Sequence, residues 1–193
     1  MTVSHDRIRT ATELAEEFAR LASQDAYGPA GATALLQAVL AQPLDWLDEQ
    51  YQERPDDRDW MLYPLHRSPD QRASMLVVVF APGVTAPVHD HGSWAVIGIY
   101  RGRERETWFR RTDGGATPGT AQLVADRTFV NPTGSVHLVP DGTIHTVEAL
   151  DGVDAVSIHV YGTDIVTQDR SEFDLETGRV QPYRPPVTER AAD

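Results

Sequence analysis

The chain contains no cysteine and no lysine. The first absence excludes disulfides, a cysteine nucleophile and thiolate metal sites, so any bound metal has to be held by His, Asp or Glu. The second excludes Schiff-base chemistry through a side-chain amine. All 17 basic side chains are arginines, set against 29 acidic ones, for a formal charge of −12. That sign is wrong for nucleic acid or an anionic membrane surface, both of which need basic patches. Long apolar runs are missing too. No stretch approaches the roughly 20 residues of a membrane-spanning helix. The opening "MTVSHDRIRTATELAEE" has no apolar core of signal-peptide length. The expectation is a soluble cytoplasmic protein that meets neither membrane nor nucleic acid.

What remains is ordinary in bulk: 193 residues, 40% hydrophobic and 24% charged, enough for one domain with a substantial core. The first fifty residues read as helical. In "TATELAEEFARLA", Thr10 followed by Glu13 fits a capping box, and Leu14, Phe18 and Leu21 recur at helical spacing. "GATALLQAVLAQ" predicts a second helix ended by Pro43, "LDWLDEQY" a short helical turn, and "QERPDDRDW" a charged loop. From Ser74 the texture changes to short β-rich runs punctuated by Gly, Pro, Asp and Asn: "SMLVVVFAPG", "SWAVIGIYRG", "RERETWFRR", "TAQLVA", "RTFVNPTG", "SVHLVPDG", "HTVEAL" and "DAVSIHVYG". Such a series predicts a sandwich or barrel. "FDLETGRVQPY" reads as a final hairpin and "RPPVTERAAD" as a disordered tail. The expected organisation is a helical segment over 1–60 packed on a barrel over 61–185, with a flexible end over 186–193.

Two histidines stand one residue apart in "PVHDHGSWAVIGIYRG". In a strand, alternate residues share a face, so His89 and His91 would project side by side while Asp90 points away. That is how a strand supplies two metal ligands; a loop carrying two solvated histidines is the other reading. A second alternation occurs in "DAVSIHVYG", where Ser157, His159 and Tyr161 share one face and Val156, Ile158 and Val160 the other. Polar groups on a buried face have to hydrogen-bond one another.

The histidine pair sits in a longer pattern. Gly83, His89, His91, Ala95 and Gly102 are followed by Gly134, Pro140, Gly142 and His145. The two blocks, in this order and spacing, resemble the paired motifs of the cupin superfamily. The fold class this implies is mainly β: a double-stranded β-helix, or jelly roll, with N-terminal α-helices. Two slots depart from the pattern. Ala95 stands where a Glu ligand is usual, and Ala149 where an Asn is usual. The implied ligand set is His89, His91 and His145 with no carboxylate, a donor set that suits Fe(II), Ni(II), Cu(II) or Zn(II).

Ser157, His159 and Tyr161, coming after the third histidine, resemble the thiol dioxygenases, namely cysteine dioxygenase and the bacterial 3-mercaptopropionate dioxygenases. The likeness covers roughly Ser74 to Tyr183. It implies Fe(II) on the three histidines, Tyr161 near the open metal face, His159 bonded to Tyr161, and Ser157 orienting His159. It implies a small thiol and O2 as partners, a sulfinate as product, and a monomer or homodimer. Some members cross-link a cysteine to the active-site tyrosine; this chain has Ala95 near that position. The resemblance also implies that Arg170 holds a substrate carboxylate. A further carboxylate-binding Arg or Gln of the family falls at Leu65, in "MLYPLHRS", leaving open whether Tyr63, His66 or Arg67 lines the pocket. Other three-histidine cupin oxygenases, which cleave diketones or flavonols, and non-enzymatic ligand-binding cupins share the first pattern but not the Ser–His–Tyr strand.

Other residues take plainer readings. His137 is expected on a strand surface rather than on a metal. Trp60, Trp94 and Trp108 are expected in the core. Arg101, Arg103, Arg105, Arg110 and Arg111, alternating with Glu104 and Glu106, read as a solvated charged face.

Overall fold

The computed structural model describes residues 7–184. The expected disordered end and its flexible 186–193 segment therefore lie outside the described residues, apart from Arg184. Helix α1 (Ala11–Ala22) starts where Thr10 accepts a hydrogen bond from the Glu13 amide. The Glu13 carboxylate reaches back to the Arg9 amide at 2.7 Å. Its buried stripe is Ala11, Leu14, Phe18 and Ala22. Helix α2 (Pro29–Leu40) begins on a proline, whose missing N–H is an orphan at that position anyway. A single 3-10 turn (Glu49–Tyr51) follows.

Ten strands come next. The larger sheet has the order β1-β2-β8-β3-β6, built from β1 (Trp60–Arg67), β2 (Ser74–Phe80), β3 (Ala95–Arg101), β6 (Val136–Val139) and β8 (Ala155–Tyr161). The smaller sheet has the order β5-β4-β7, from β4 (Arg103–Arg111), β5 (Leu123–Pro132) and β7 (Ile144–Ala149). The segment 84–91 extends it by bridging β7 at Thr85↔Glu148 and His89↔His145. His89 also bridges Glu172 in the closing hairpin of β9 (Ser171–Phe173) and β10 (Val180–Pro182). Two antiparallel sheets face to face, preceded by helices, give the mainly β fold with N-terminal α-helices expected of the sequence.

Two strand assignments differ from the runs named in the sequence. β1, which begins at Trp60 beside the expected start of the barrel at 61, is not among the runs named from Ser74; it is an edge strand that tolerates Pro64, and its pairing with β2 breaks register between Pro64 and His66. "TAQLVA" and "RTFVNPTG" contribute to one strand, β5, whose pairing with β4 slips between Trp108 and Phe109.

The larger sheet is buried on both faces, so β2 and β8 are buried along their whole length. Met75, Val77 and Val79 of β2 and Val156, Ile158 and Val160 of β8 pack against the helices. The alternate residues Leu76, Val78, Phe80 and Tyr161 point between the sheets. Helix α2 lies close against β3 at Gly98: a Cβ there would stand 2.6 Å from Leu40 Cδ1, so any larger residue would require that side chain to shift. Tyr27 ties the helical segment to the end of β8 by donating to the Tyr161 carbonyl at 2.7 Å.

Candidate metal centre

His89 and His145 exchange both backbone hydrogen bonds, each N–H to O at 2.9 Å, so the two residues oppose each other directly and face one side. His91 joins them by alternation, while Asp90 turns away and accepts from the Ser171 amide at 2.8 Å. Gly92 then turns the chain at φ +59°, where a Cβ would stand 2.8 Å from the Asp169 carbonyl. The two histidines are buried and converge as the strand reading expects, although the segment that carries them makes only isolated bridges and is not a regular strand.

All three imidazoles are buried, and each can offer a nitrogen so that the three lie within 4.8 Å of one another. His89 Nδ1 is 2.8 Å from the Pro87 carbonyl, which can only accept, so Nδ1 carries the proton and Nε2 is the free lone pair. His145 Nδ1 is 2.7 Å from Glu106 Oε1, which assigns its proton in the same way. His145 Nε2 and His91 Nε2 approach to 3.1 Å. Two imidazole nitrogens held about 2.1 Å from one ion at a right angle lie about 3.0 Å apart, so the pair fits adjacent positions on a first-row metal. Burial, and then the neighbouring His145, push His89 and His91 well below the usual imidazole range. They stay neutral, the state that ligates.

Glu106 was not singled out by sequence, where it belongs to a solvated face. The arginines of that alternation bear the reading out in part: Arg101, Arg103, Arg105 and Arg110 are exposed, and Arg111 is half-buried. Glu104 and Glu106 do not. They are on the inner face of β4 and each is 1% exposed. Period-two alternation of Arg101, Arg103 and Arg105 with Glu104 and Glu106 was the available signal; it was read as one surface instead of two. Besides His145, Glu106 accepts from Trp108 Nε1 at 2.6 Å and Asn131 Nδ2 at 3.3 Å. His137 Nε2 lies 2.7 Å away, at ion-pair distance though poorly aligned as a hydrogen bond. Burial opposes the charge on Glu106, but His137 and His145 outweigh it and hold the carboxyl well below its usual range. His137 thus stays off the metal cluster, as expected, but meets Glu106 instead of only covering a strand surface.

The Ser157–His159–Tyr161 row is present. Ser157 Oγ is 2.8 Å from His159 Nε2, and His159 Nδ1 is 3.0 Å from the Tyr161 hydroxyl. Burial lowers His159 to about 3 and raises Tyr161, so neither carries charge near neutral pH. The Tyr161 ring stands edge-on to His91, centroids 5.1 Å apart. Ala95, facing Tyr161 across the β3–β8 ladder, puts only a methyl group there.

Arg170 arrives on the loop after β8. Asp164 anchors that loop, accepting from Arg67 at 2.7 Å and from the Val166 amide. Asp90 and Ser171 then lock its end to the histidine segment. The side chain is buried, its Nε has no partner among the described residues, and its guanidinium carbon is 5.2 Å from the centre of the Tyr183 ring. Arg170, Tyr161, His159 and the three histidines share one cavity with Tyr183, which the sequence reading missed.

The opposite wall is apolar: Trp60, Leu62, Val78, Phe80, Ala86 and Val147. The cavity is narrow, about 40 Å³, room for a few waters. Trp60 lines this cavity besides packing in the interior. Trp94 and Trp108 do pack at the cores, Trp94 against Tyr27. Leu65 is not in the wall. It packs against the helices, as does Tyr63, whose hydroxyl donates to the Glu53 carbonyl. His66 meets Phe18 edge-on, and Arg67 pairs with Asp164. None of Tyr63, His66 and Arg67 lines the pocket. Up to the register break, the even-numbered residues of β1 face the cavity, so Trp60 and Leu62 occupy the wall.

No protein-family model matches the sequence. Among solved structures, the chain is similar to an oxalate oxidase (22% identity, TM-score 0.38, covering 48% of this chain and 43% of that one). It is also similar to the cupin domain of Schizosaccharomyces pombe Cnp3 (17% identity, TM-score 0.42, 56% of this chain and 67% of that one). A third is a cupin superfamily protein from Desulfitobacterium hafniense (14% identity, TM-score 0.42, 58% of this chain and 84% of that one). The chain spans less than half the length of that oxalate oxidase. These likenesses are partial, and the chemistry of the site is read from its own residues.

Proposed function

We propose that the protein is a mononuclear non-haem Fe(II) dioxygenase that converts a small carboxylated thiol to its sulfinate with O2. The observation that carries this reading is one cavity combining three convergent imidazoles, a hydrogen-bonded Tyr161 hydroxyl and a buried Arg170 whose Nε has no hydrogen-bond partner among the described residues. His89, His91 and His145 would hold the metal. An Fe(II) ion there supplies a centre on which a thiolate and dioxygen meet, sparing a three-body encounter.

The chain's own residues do the rest. Arg170 binds the carboxylate, since a buried guanidinium whose Nε lacks a hydrogen-bond partner among the described residues is costly until an anion arrives. Tyr161, fixed through His159 and Ser157, presents a hydroxyl beside the reacting sulfur. The apolar wall from Trp60 to Val147 excludes water. No Asp or Glu is among the cavity-lining residues to meet an ammonium group. This favours a simple mercapto acid over cysteine. The balance is RSH + O2 → RSO2H. Both oxygen atoms go to sulfur, which gives up four electrons as dioxygen takes four, and no further reductant is needed.

The small cavity weighs against a flavonol, whose three rings need far more room. Oxygen uptake by the iron-loaded protein tests the proposal against 3-mercaptopropionate, mercaptosuccinate, cysteine, cysteamine and a diketone panel. The mercapto acids should lead, with sulfinate as product. Preference for cysteamine, which has no carboxylate, would remove the role of Arg170, and turnover of diketones alone would replace the reading.

A further inference from the structure

Each group in the Tyr161–His159–Ser157 row has one proton to place, so the directions of its hydrogen bonds are linked. A hydroxyl donates once, and a neutral imidazole has one N–H. The far end of the row stops at Glu104. The Ser157 hydroxyl lies beside the Glu104 carboxyl, which is 1% exposed and has one oxygen, Oε1, without a partner among the described residues. The arginines that alternate with it point to the other face of β4. Among the described residues, the charged or titratable groups close to it are His137 from β6, Glu106 from β4 itself and Tyr161 from β8. Asn131 of β5 and Ala149 of β7 flank it in the ladder and bring no charge.

Two arrangements follow. With Glu104 ionised, Ser157 donates to it and accepts from His159 Nε2–H. His159 Nδ1 then accepts from Tyr161, whose lone pairs face the cavity. With Glu104 protonated, every step reverses: Glu104 donates to Ser157, Ser157 to Nε2, and Nδ1–H to the Tyr161 oxygen. The Tyr161 O–H is then free to donate into the cavity. We infer that Glu104 is a positioning residue that sets the direction of this row, and so decides whether Tyr161 offers the substrate a proton or a lone pair. Burial, only partly offset by Ser157 and His137, pushes the Glu104 carboxyl up to about 7, so both arrangements are within reach near neutral pH. The consequence for turnover rests on the thiol dioxygenase reading; the direction of the row does not.

The test uses Zn(II)-loaded protein carrying 15N-histidine, with the His159 tautomer read by NMR from pH 6 to 8.5. His159 does not itself ionise in this range. Wild type should pass from the Nδ1–H to the Nε2–H form with a midpoint near 7. Glu104→Gln, which has no proton to lose, should hold one tautomer throughout. Ser157→Ala cuts the connection while leaving Glu104 in place; it should also show no switch, and it carries the test if the glutamine variant does not fold. In the iron enzyme, a turnover inflection near pH 7 should vanish in both variants. A wild-type tautomer that does not change with pH, or a switch that persists in Ser157→Ala, overturns the inference. If no thiol is oxidised but the tautomer switches as described, the proposed function fails and this inference stands.

Discussion

The larger sheet faces two interiors, and they are built differently. Toward the helices, β8 presents Val156, Ile158 and Val160, and their neighbours are aliphatic or aromatic. Toward the smaller sheet, the same strand presents Ser157, His159 and Tyr161, and their surroundings include Glu104, Glu106, His137 and the three clustered histidines. Burial is the same on both sides, since every residue of β8 is buried. The first interior stabilises the fold by removing apolar surface from water. The second holds polar groups that are tolerable where they meet partners; among the described residues, those without a hydrogen-bond partner include Arg170 Nε, Glu104 Oε1 and His91 Nδ1, beside which chemistry is expected. Within it, Glu104 and Glu106 sharpen the lesson. They sit two residues apart on one face and are equally buried, yet burial drives Glu104 up while histidines drive Glu106 down.

The comparison breaks if the two interiors respond alike to mutation. Ile158→Ala, on the helix side, should cost about 2–5 kcal/mol of stability in denaturant unfolding and leave metal affinity unchanged. Glu104→Gln should act on stability through pH. Between the ordinary carboxyl value of 4.5 and about 7, the unfolded chain has released this proton and the folded protein keeps it. Stability therefore falls as pH rises through that window. The glutamine variant should gain on wild type across it, by at most about 3 kcal/mol above pH 7, in paired unfolding curves. Glu106→Gln removes the charge that orients His145. Iron affinity measured by competition with a chelator should drop about 10–100-fold while the fold persists. Arg170→Ala should raise KM for a mercapto acid roughly tenfold, the smallest effect here, and should leave KM for cysteamine nearly unaltered.

Local patterns were the legible part. The cap at Thr10, the alternation in β8 and the paired histidines each depend on residues a few positions apart, and each is in the structure as the sequence implies. The metal cluster was legible because its spacing matched a known pair of blocks. Contacts set by long-range pairing were not. Glu106 reaches His145 only because β4 pairs with β7, which sets Trp108 opposite His145 and turns the glutamates inward. Which of Tyr63, Leu65, His66 or Arg67 lines the pocket stayed open in the sequence because nothing nearby fixes which parity of β1 faces the cavity. The sheet register does, and it puts Trp60 and Leu62 there. Tyr183 reaches His89 from the closing hairpin, with ring centroids 5.0 Å apart, a contact that depends on where the chain's last strand docks.

Isotope tracing tests the central claim most directly. Iron-loaded protein is given 3-mercaptopropionate under 18O2 in unlabelled water, and the sulfinate is analysed by mass spectrometry. The proposed chemistry predicts that both sulfinate oxygens carry the label and that one O2 is consumed per product formed. A sulfinate with one or no labelled oxygen, or oxygen consumed without sulfinate, would contradict it.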